Sequence, residues 1–392
     1  MGYYLKKNGF EIRIIEKEKR VGGKICSLST DYGVLELGPN ALFLNADARE
    51  LLAELNLSPV PAAPNLKRYI WAKNHPRSPL SFKLILTLFL RSYQRPPLLA
   101  DGLSVADFFR PLLGEDHLKD LLDPIFAGVY ATPVQQLHFK SVFPDLAERA
   151  HFRTYFHFFY FYFLKMKSER PQKHELKGSV SFHDGLQTLI TRLESELEPF
   201  IELKKHTHLE KDKNFIICTD AHTAAELIKP ISVDAAAELN QVKYQTLTST
   251  CIVSSKKIEA LDNAFGVLIP YQEKLNAIGI LNNSAIFPHL IKEGYSYTFI
   301  SPGQNDLKES IEDFKTFEPD FNSMNILFSR TTPWKKALPI YNLNRYISMK
   351  KLNVILKTHP GIVIFGNYVG GLSLREMISQ AKLFAQEFKI HS

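Results

Sequence analysis

Phe10-Glu11-Ile12-Arg13-Ile14-Ile15-Glu16, then Arg20-Val21-Gly22-Gly23-Lys24, then Leu35-Glu36-Leu37-Gly38-Pro39-Asn40, is the stretch on which the fold turns. Residues 10–15 read as a buried strand, and Glu16 closes it with a carboxylate. A βαβ nucleotide-binding unit places an acid there, where it accepts hydrogen bonds from a ribose hydroxyl. Upstream, residues 1–9 read as the last turns of a helix ending at Gly9, where a left-handed residue costs least. The strand and glycine-rich turn expected before that helix are not read, and no Gly-x-Gly-x-x-Gly occurs later. That strand is central in such a sheet, so residues 10–15 and 362–366 are expected to face each other across the place of one strand.

Further motifs follow in order. Leu122-Asp123-Pro124-Ile125-Phe126-Ala127-Gly128-Val129-Tyr130 is closed by Phe143-Pro144. Trp334 to Tyr341 carries Ala337, Pro339 and Tyr341, and Pro360 to Gly371 carries Gly366-Asn367-Tyr368 and Gly370-Gly371. In this sequence of motifs the chain resembles the FAD-dependent amine oxidase-like flavoproteins over nearly its whole length, and its Asp-Pro and C-terminal stretches resemble the porphyrinogen-oxidising branch.

The resemblance implies an α/β fold with α+β insertions. A Rossmann-like FAD domain, its first strand missing, would comprise 1–66, 179–230 and 336–392. A mixed-sheet substrate domain would comprise 67–80 and 231–335, and a helical membrane-associated insertion 81–168. The FAD-binding residues it implies are Glu16, Lys17, Gly22, Gly23, Lys24, Gly38, Pro39, Asn40, Gly366, Asn367, Leu372, Ser373 and Leu374. Gly22 and Gly23 would let backbone approach the cofactor with no Cβ in the way. The helix opening near Leu372 would aim its free N–H groups at the flavin's pyrimidine oxygen, where reduced flavin gathers negative charge. Without the glycine-rich turn, residues 1–392 alone are expected to hold little FAD.

For substrate, the resemblance implies Arg68, Leu247, Leu268 and Phe287. A porphyrinogen is apolar across its faces and anionic at its propionates, so a slot of Leu and Phe with one arginine at the rim suits it. The planar fork of Arg68 fits a carboxylate better than lysine would. Apart from the resemblance, the same arginine also reads as a solvated charge beside Lys67, and the three apolar residues as plain core. No catalytic side chain and no metal ligand is assigned, because the flavin carries the chemistry. His138, His183 and His222 read as loop or surface residues.

The expected reaction is oxygen-dependent oxidation of protoporphyrinogen IX or coproporphyrinogen III to the porphyrin, by hydride transfer to FAD, in heme biosynthesis. Two alternatives are another amine oxidase-like flavoprotein, and an FAD-free protein that binds tetrapyrrole or membrane.

Composition narrows the partners. The 392 residues are 45% apolar and 23% charged, ordinary globular usage with room for two or three domains. Cys26, Cys218 and Cys251 lack metal spacing and fit a reducing compartment. Net charge is +7 and favours anionic partners. Without a recognisable motif, nucleic acid is not expected among them. No apolar stretch reaches the ~18 to 20 residues that span a bilayer, and no secretory signal is read, so a cytoplasmic location is expected. Residues 155–164, aromatic throughout and flanked by Arg153, Lys165 and Lys167, read either as a core helix or as a helix in a membrane interface. The second places the protein peripherally on the inner face of the cell membrane.

Helices are expected over 46–55, 81–91, 104–111, 115–122 and 186–197. Strands are expected over 67–71, 201–209, 215–219, 244–254, 266–270, 278–281, 287–288 and 295–300, and a polar linker over 168–179. Two positions depart from the family pattern: Asp184 stands where a glycine is usual, and Asp220-Ala221-His222 replaces Ala-x-Pro.

Overall fold

The first helix, Gly2–Lys7, ends at Gly9, whose φ of +84° lets the Phe10 amide reach back 3.1 Å to the Leu5 carbonyl. In this computed structural model, which describes residues 1–147, 152–168, 176, 178–209 and 213–388, the strand that follows is shorter than expected. Only Ile14–Glu16 pair, in parallel with Ile201–Leu203. Residues 10–13 stay outside the ladder because Phe10 turns onto the Phe388 ring, 5.3 Å away, and Arg13 pairs with the Glu202 carboxylate. The strand expected over 201–209 is likewise confined to its first three residues. Most of the linker read over 168–179 lies outside the described residues.

A second parallel pair joins Phe215–Ile217 to Ile362–Ile364. Among the described residues no ladder connects it to Ile14–Glu16. Helices Gly2–Lys7, Ala46–Glu54 and Leu374–Glu387 share one core, centred on Leu5, Leu51, Leu52, Phe182 and Ala381. Helices Ala221–Ile228, Val233–Asn240 and Leu343–Leu356 share another with Ile217 and Ile364. Asp220 and His222, which replace the familiar Ala-x-Pro, begin the first of these helices. The Asp220 carboxylate accepts from the His222 and Thr223 amides at 3.1 and 3.2 Å, an ordinary N-cap.

Among the described residues the largest sheet has seven strands, in spatial order Ile326–Pro339, Tyr244–Ser254, Tyr295–Pro302, Gly279–Asn282, Ala264–Leu268, Lys67–Ala72 and His75–Arg77. Lys67–Ala72 runs parallel to Ala264–Leu268, and the other pairs are antiparallel. Among the described residues Ile326–Pro339 is the longest strand, and none of it is expected as a strand from sequence, where residues 334–341 read only as a motif. It is an edge strand, where Pro333 removes no needed donor. Phe287 and Pro288 do not continue the sheet: they link the short helix Asn283–Ile286 to the turn Pro288–Leu290, which buries Phe287 beneath the sheet.

The helices expected over 104–111 and 115–122 form the run Val105–His117, kinked at Gly114, then a wide turn at Leu118–Leu122 and the helix Asp123–Tyr130. Asp123 is buried and holds the chain's return by accepting from the Val134 amide at 2.8 Å. The aromatic helix Tyr155–Ser168 is two-faced. Tyr155 and Phe158 enter a core with Phe108, Phe109 and Phe139, whereas Phe156, Tyr160 and Phe163 are about half exposed. The helix Phe82–Arg91 is more exposed: Phe82, Ile85, Phe89 and Leu90 all face outward. The two helices meet where the Phe156 amide donates to the Ser92 carbonyl at 2.7 Å and Tyr93 stacks on Phe156.

Candidate flavin and substrate site

Backbone contacts draw the glycine-rich stretches together around the strand that ends at Pro339. A Cβ on Gly38 would lie 1.9 Å from the Lys24 carbonyl oxygen, so the turn over 22–24 and the loop over 38–40 touch with no space between them. The Trp334 indole donates to the Leu37 carbonyl at 2.9 Å, and Lys24 Nζ donates to the Ala337 carbonyl at 2.6 Å. Burial lowers the Lys24 pKa to about 8, partly offset by Asp220. Four residues beyond Ala337, the Tyr341 hydroxyl lies 2.5 Å from the Asn367 carbonyl. Gly22, Gly23, Lys24, Gly38, Pro39, Asn40, Gly366 and Asn367 thus belong to one connected set of loops.

Two expected residues are less tied to this set. The Glu16 carboxylate accepts from its own Glu18 amide at 2.9 Å, and Lys17 is exposed. At the far end, Ser373 caps the helix Leu374–Glu387, and the Glu376 carboxylate takes the Ser373 amide at 2.9 Å. The helix start is therefore less bare than expected, because a capping box uses part of its donor set. Leu372 packs sideways against the helical core.

These residues fit a flavin on three observations. Asn40 Nδ2 is buried and has no partner among the described residues. A Cβ on Gly23 would meet nothing within 4 Å, so open space lies beside that backbone. Among the described residues, the Gly371 and Leu372 amides donate to no protein acceptor. Neutral backbone and amide donors of this kind suit the carbonyl and ring nitrogen atoms of an isoalloxazine.

Glu36 supports this arrangement from behind. Its buried carboxylate accepts from Ser27 Oγ at 2.8 Å and the Leu186 amide at 2.7 Å. Despite Asp184, the turn forms because Gly185 takes φ +75° and leaves room for that carboxylate. Burial pushes the Glu36 pKa up to about 7 from an ordinary 4.5, against both hydrogen bonds. A raised carboxyl pKa means that the folded state keeps a proton the unfolded state has released. Stability from this group is therefore full below about 4.5 and falls as pH rises to about 7, by as much as ~3 kcal/mol. Urea unfolding of wild type and Glu36→Gln at pH 5 and pH 8 checks this. The stability gap between them should shift toward the variant at pH 8, and parallel profiles would contradict it.

The expected substrate residues fall into two groups. Leu247 packs with Ala131, Ile278 and Ala337, and a Cβ on Gly128 would meet Leu268 Cδ2 at 2.6 Å, so both leucines lie against the end of the Asp123–Tyr130 helix. Phe287 shares a cluster with Phe265, and the exposed Arg68 guanidinium lies 4.6 Å from the Phe265 ring centre. Among the described residues no carboxylate pairs with Arg68, which leaves its fork available. Phe265 was missed in sequence: an aromatic between Ala264 and Gly266 carries no local sign of standing under an arginine.

The chain belongs to the flavin containing amine oxidoreductase family, whose model matches residues 1–244, and it is an oxidoreductase whose cofactor is FAD. Its curated relatives are more particular. Over 96% of this chain and 90% of the relative, it is 25% identical to the mitochondrial protoporphyrinogen oxidase of Nicotiana tabacum. Over 98% of this chain and 95% of the relative, it is 23% identical to the coproporphyrinogen III oxidase of Staphylococcus aureus. Among solved structures, a protein from Exiguobacterium described as a candidate protoporphyrinogen oxidase superposes with a TM-score of 0.74 at 16% identity, covering 98% of this chain and 94% of its own. A putrescine oxidase superposes at 0.68 with 10% identity, covering 98% and 95%, so the fold alone does not select a substrate.

Proposed function

We propose that this chain oxidises a porphyrinogen to the porphyrin in tetrapyrrole biosynthesis, with oxygen as the final acceptor. The observation that carries this reading is the end-to-end match to relatives named protoporphyrinogen oxidase and coproporphyrinogen III oxidase. The exposed Arg68, which lies over the Phe265 ring and has no carboxylate partner among the described residues, is its geometric support. Bound FAD supplies the acceptor for hydride leaving a bridging methylene. Arg68 pairs with a propionate, Leu247 and Leu268 cover the ring and exclude water, and Phe287, buried in the cluster beneath Phe265, backs the arginine's platform. Glu16, Lys17, Gly22, Gly23, Lys24, Gly38, Pro39, Asn40, Gly366, Asn367, Leu372, Ser373 and Leu374 hold the cofactor. The division into an FAD domain, a substrate domain and a helical insertion follows from these roles. Product assays with protoporphyrinogen IX, coproporphyrinogen III and putrescine test it. Porphyrin should form from at least one porphyrinogen, and oxidation of the amine alone would overturn the reading.

Peripheral contact with the inner membrane face belongs to the same proposal. Among the described residues no helix is long and apolar enough to cross a bilayer, so contact would be lateral. The outward residues of Phe82–Arg91 and of Tyr155–Ser168 provide an apolar, aromatic surface for it. Phe158 is core, so the test replaces Phe82, Phe89 and Phe163 with Ser. Wild type should float with anionic vesicles and release with salt, while the triple variant stays in solution. Absence of wild-type flotation would remove lipid from the account.

A further inference from the structure

Arg345 is 4% exposed, and among the described residues it faces no carboxylate. A buried guanidinium without an anionic partner is costly unless its donors are fully used. Here they are spent on one turn. Nε donates to the Tyr368 carbonyl at 2.7 Å, and Nη2 lies 3.3 Å from the Val369 carbonyl and 3.4 Å from that of Gly370. The guanidinium carbon sits 3.8 Å from the ring centre of Tyr341. The Tyr341 hydroxyl, in turn, is 2.5 Å from the Asn367 carbonyl and 2.6 Å from the Gly370 carbonyl. Four successive carbonyls therefore converge on one cation and one phenol.

Peptide planarity then fixes the opposite side of the turn. Among the described residues no peptide bond is cis, so each N–H of this turn points away from the carbonyl of the residue before it. The Val369 and Gly370 amides are used locally, donating to the Gly366 carbonyl at 3.0 and 3.3 Å. With the Gly370 carbonyl held by Arg345 and Tyr341, the Gly371 N–H is turned away from both, and it has no protein acceptor among the described residues. From the other side the turn is seated on the last helix: a Cβ at Gly370 would fall 2.0 Å from the Gln380 side chain, and one at Gly371 would fall 2.5 Å from that of Glu376.

We propose that Arg345 is a positioning residue for flavin binding: with Tyr341 it grips the carbonyl face of residues 367–370 and so presents the Gly371 amide as a fixed donor to the electron-rich edge of the cofactor. This rests on the reading that the turn over 366–374 lines the FAD site. Its buried charge also adds positive potential behind that edge, where reduction places negative charge.

The test follows backbone amide exchange of residues 366–374 and FAD affinity in wild type, Arg345→Gln, Arg345→Lys and Tyr341→Phe. Exchange over 244–254 serves as an internal control. Arg345→Gln should speed exchange at 367–372 by about tenfold or more and weaken FAD by a similar factor, with the control unchanged. Arg345→Lys should recover part of both losses, and Tyr341→Phe should show a smaller form of both. If wild type binds FAD and Arg345→Gln matches it in exchange and affinity within about twofold, the positioning role is overturned while the flavin reading stands. Faster exchange throughout the control segment, in both the Gln and the Lys variants, would reduce Arg345 to a general folding residue and overturn the proposal too. If added FAD neither binds wild type nor protects residues 366–374, the flavin reading of the turn fails, and the donor role with it.

Discussion

Arg68→Ala is expected to raise the KM for porphyrinogen roughly 10- to 150-fold, the equivalent of losing one charge-assisted contact of ~1.5 to 3 kcal/mol, with little change in FAD affinity. The guanidinium lies over Phe265 on a strand of the seven-stranded sheet and is not part of the loops that surround Gly23 and Asn40. Arg68→Lys should fall between wild type and Ala, since a lysine keeps the charge but not the planar fork. Steady-state kinetics combined with an FAD titration separate the two effects. An unchanged KM in the Ala variant would remove Arg68 from the substrate site.

Gly38→Ala should be the most damaging single methyl in the cofactor region. The added Cβ would lie 1.9 Å from the Lys24 carbonyl oxygen and 3.1 Å from its carbon, and backbone cannot swing aside as the end of a flexible side chain does. The loop is fixed from both directions, by Trp334 on the Leu37 carbonyl and by the Leu37 amide on Cys26 at 2.9 Å. Overpacking of this kind costs ~1–3 kcal/mol, and relief would require the turn over 22–24 to separate from the loop over 38–40. The variant should melt earlier and bind added FAD more weakly. Gly23→Ala is the comparison: its methyl meets open space, leaving only the strain of φ +56°. A Gly38→Ala protein as stable as wild type, with the same affinity for added FAD, would show that these loops are not packed as described.

Local chemistry made part of this molecule legible. Gly9 announced a helix end, Gly185 rescued a turn whose usual first glycine is Asp184, and the order of short motifs from Glu16 to Gly371 pointed to a flavin fold. Hidden features depend on distant neighbours. Nothing within residues 10–13 shows that Phe10 abandons the strand for Phe388, 378 positions along the chain. Residues 326–333 run Ile, Leu, Phe, Ser, Arg, Thr, Thr and Pro without alternation, and none of them is fully buried in the strand, so neither face imposes a pattern on the sequence. Neither Arg345 nor its helix Leu343–Leu356 is singled out in the sequence, and the burial of the arginine arises only when the 367–371 turn folds over it. The aromatic run at 155–164 was ambiguous for a physical reason: one side is core and the other is not.

The central claim is that electrons pass from a porphyrinogen to flavin held by this chain. It is tested most directly by mixing FAD-loaded protein anaerobically with protoporphyrinogen IX or coproporphyrinogen III and following flavin absorbance and porphyrin fluorescence together. The account expects the flavin to bleach as porphyrin appears, and oxygen to restore the flavin colour. Flavin that stays oxidised with both porphyrinogens, yet bleaches with putrescine, would contradict it.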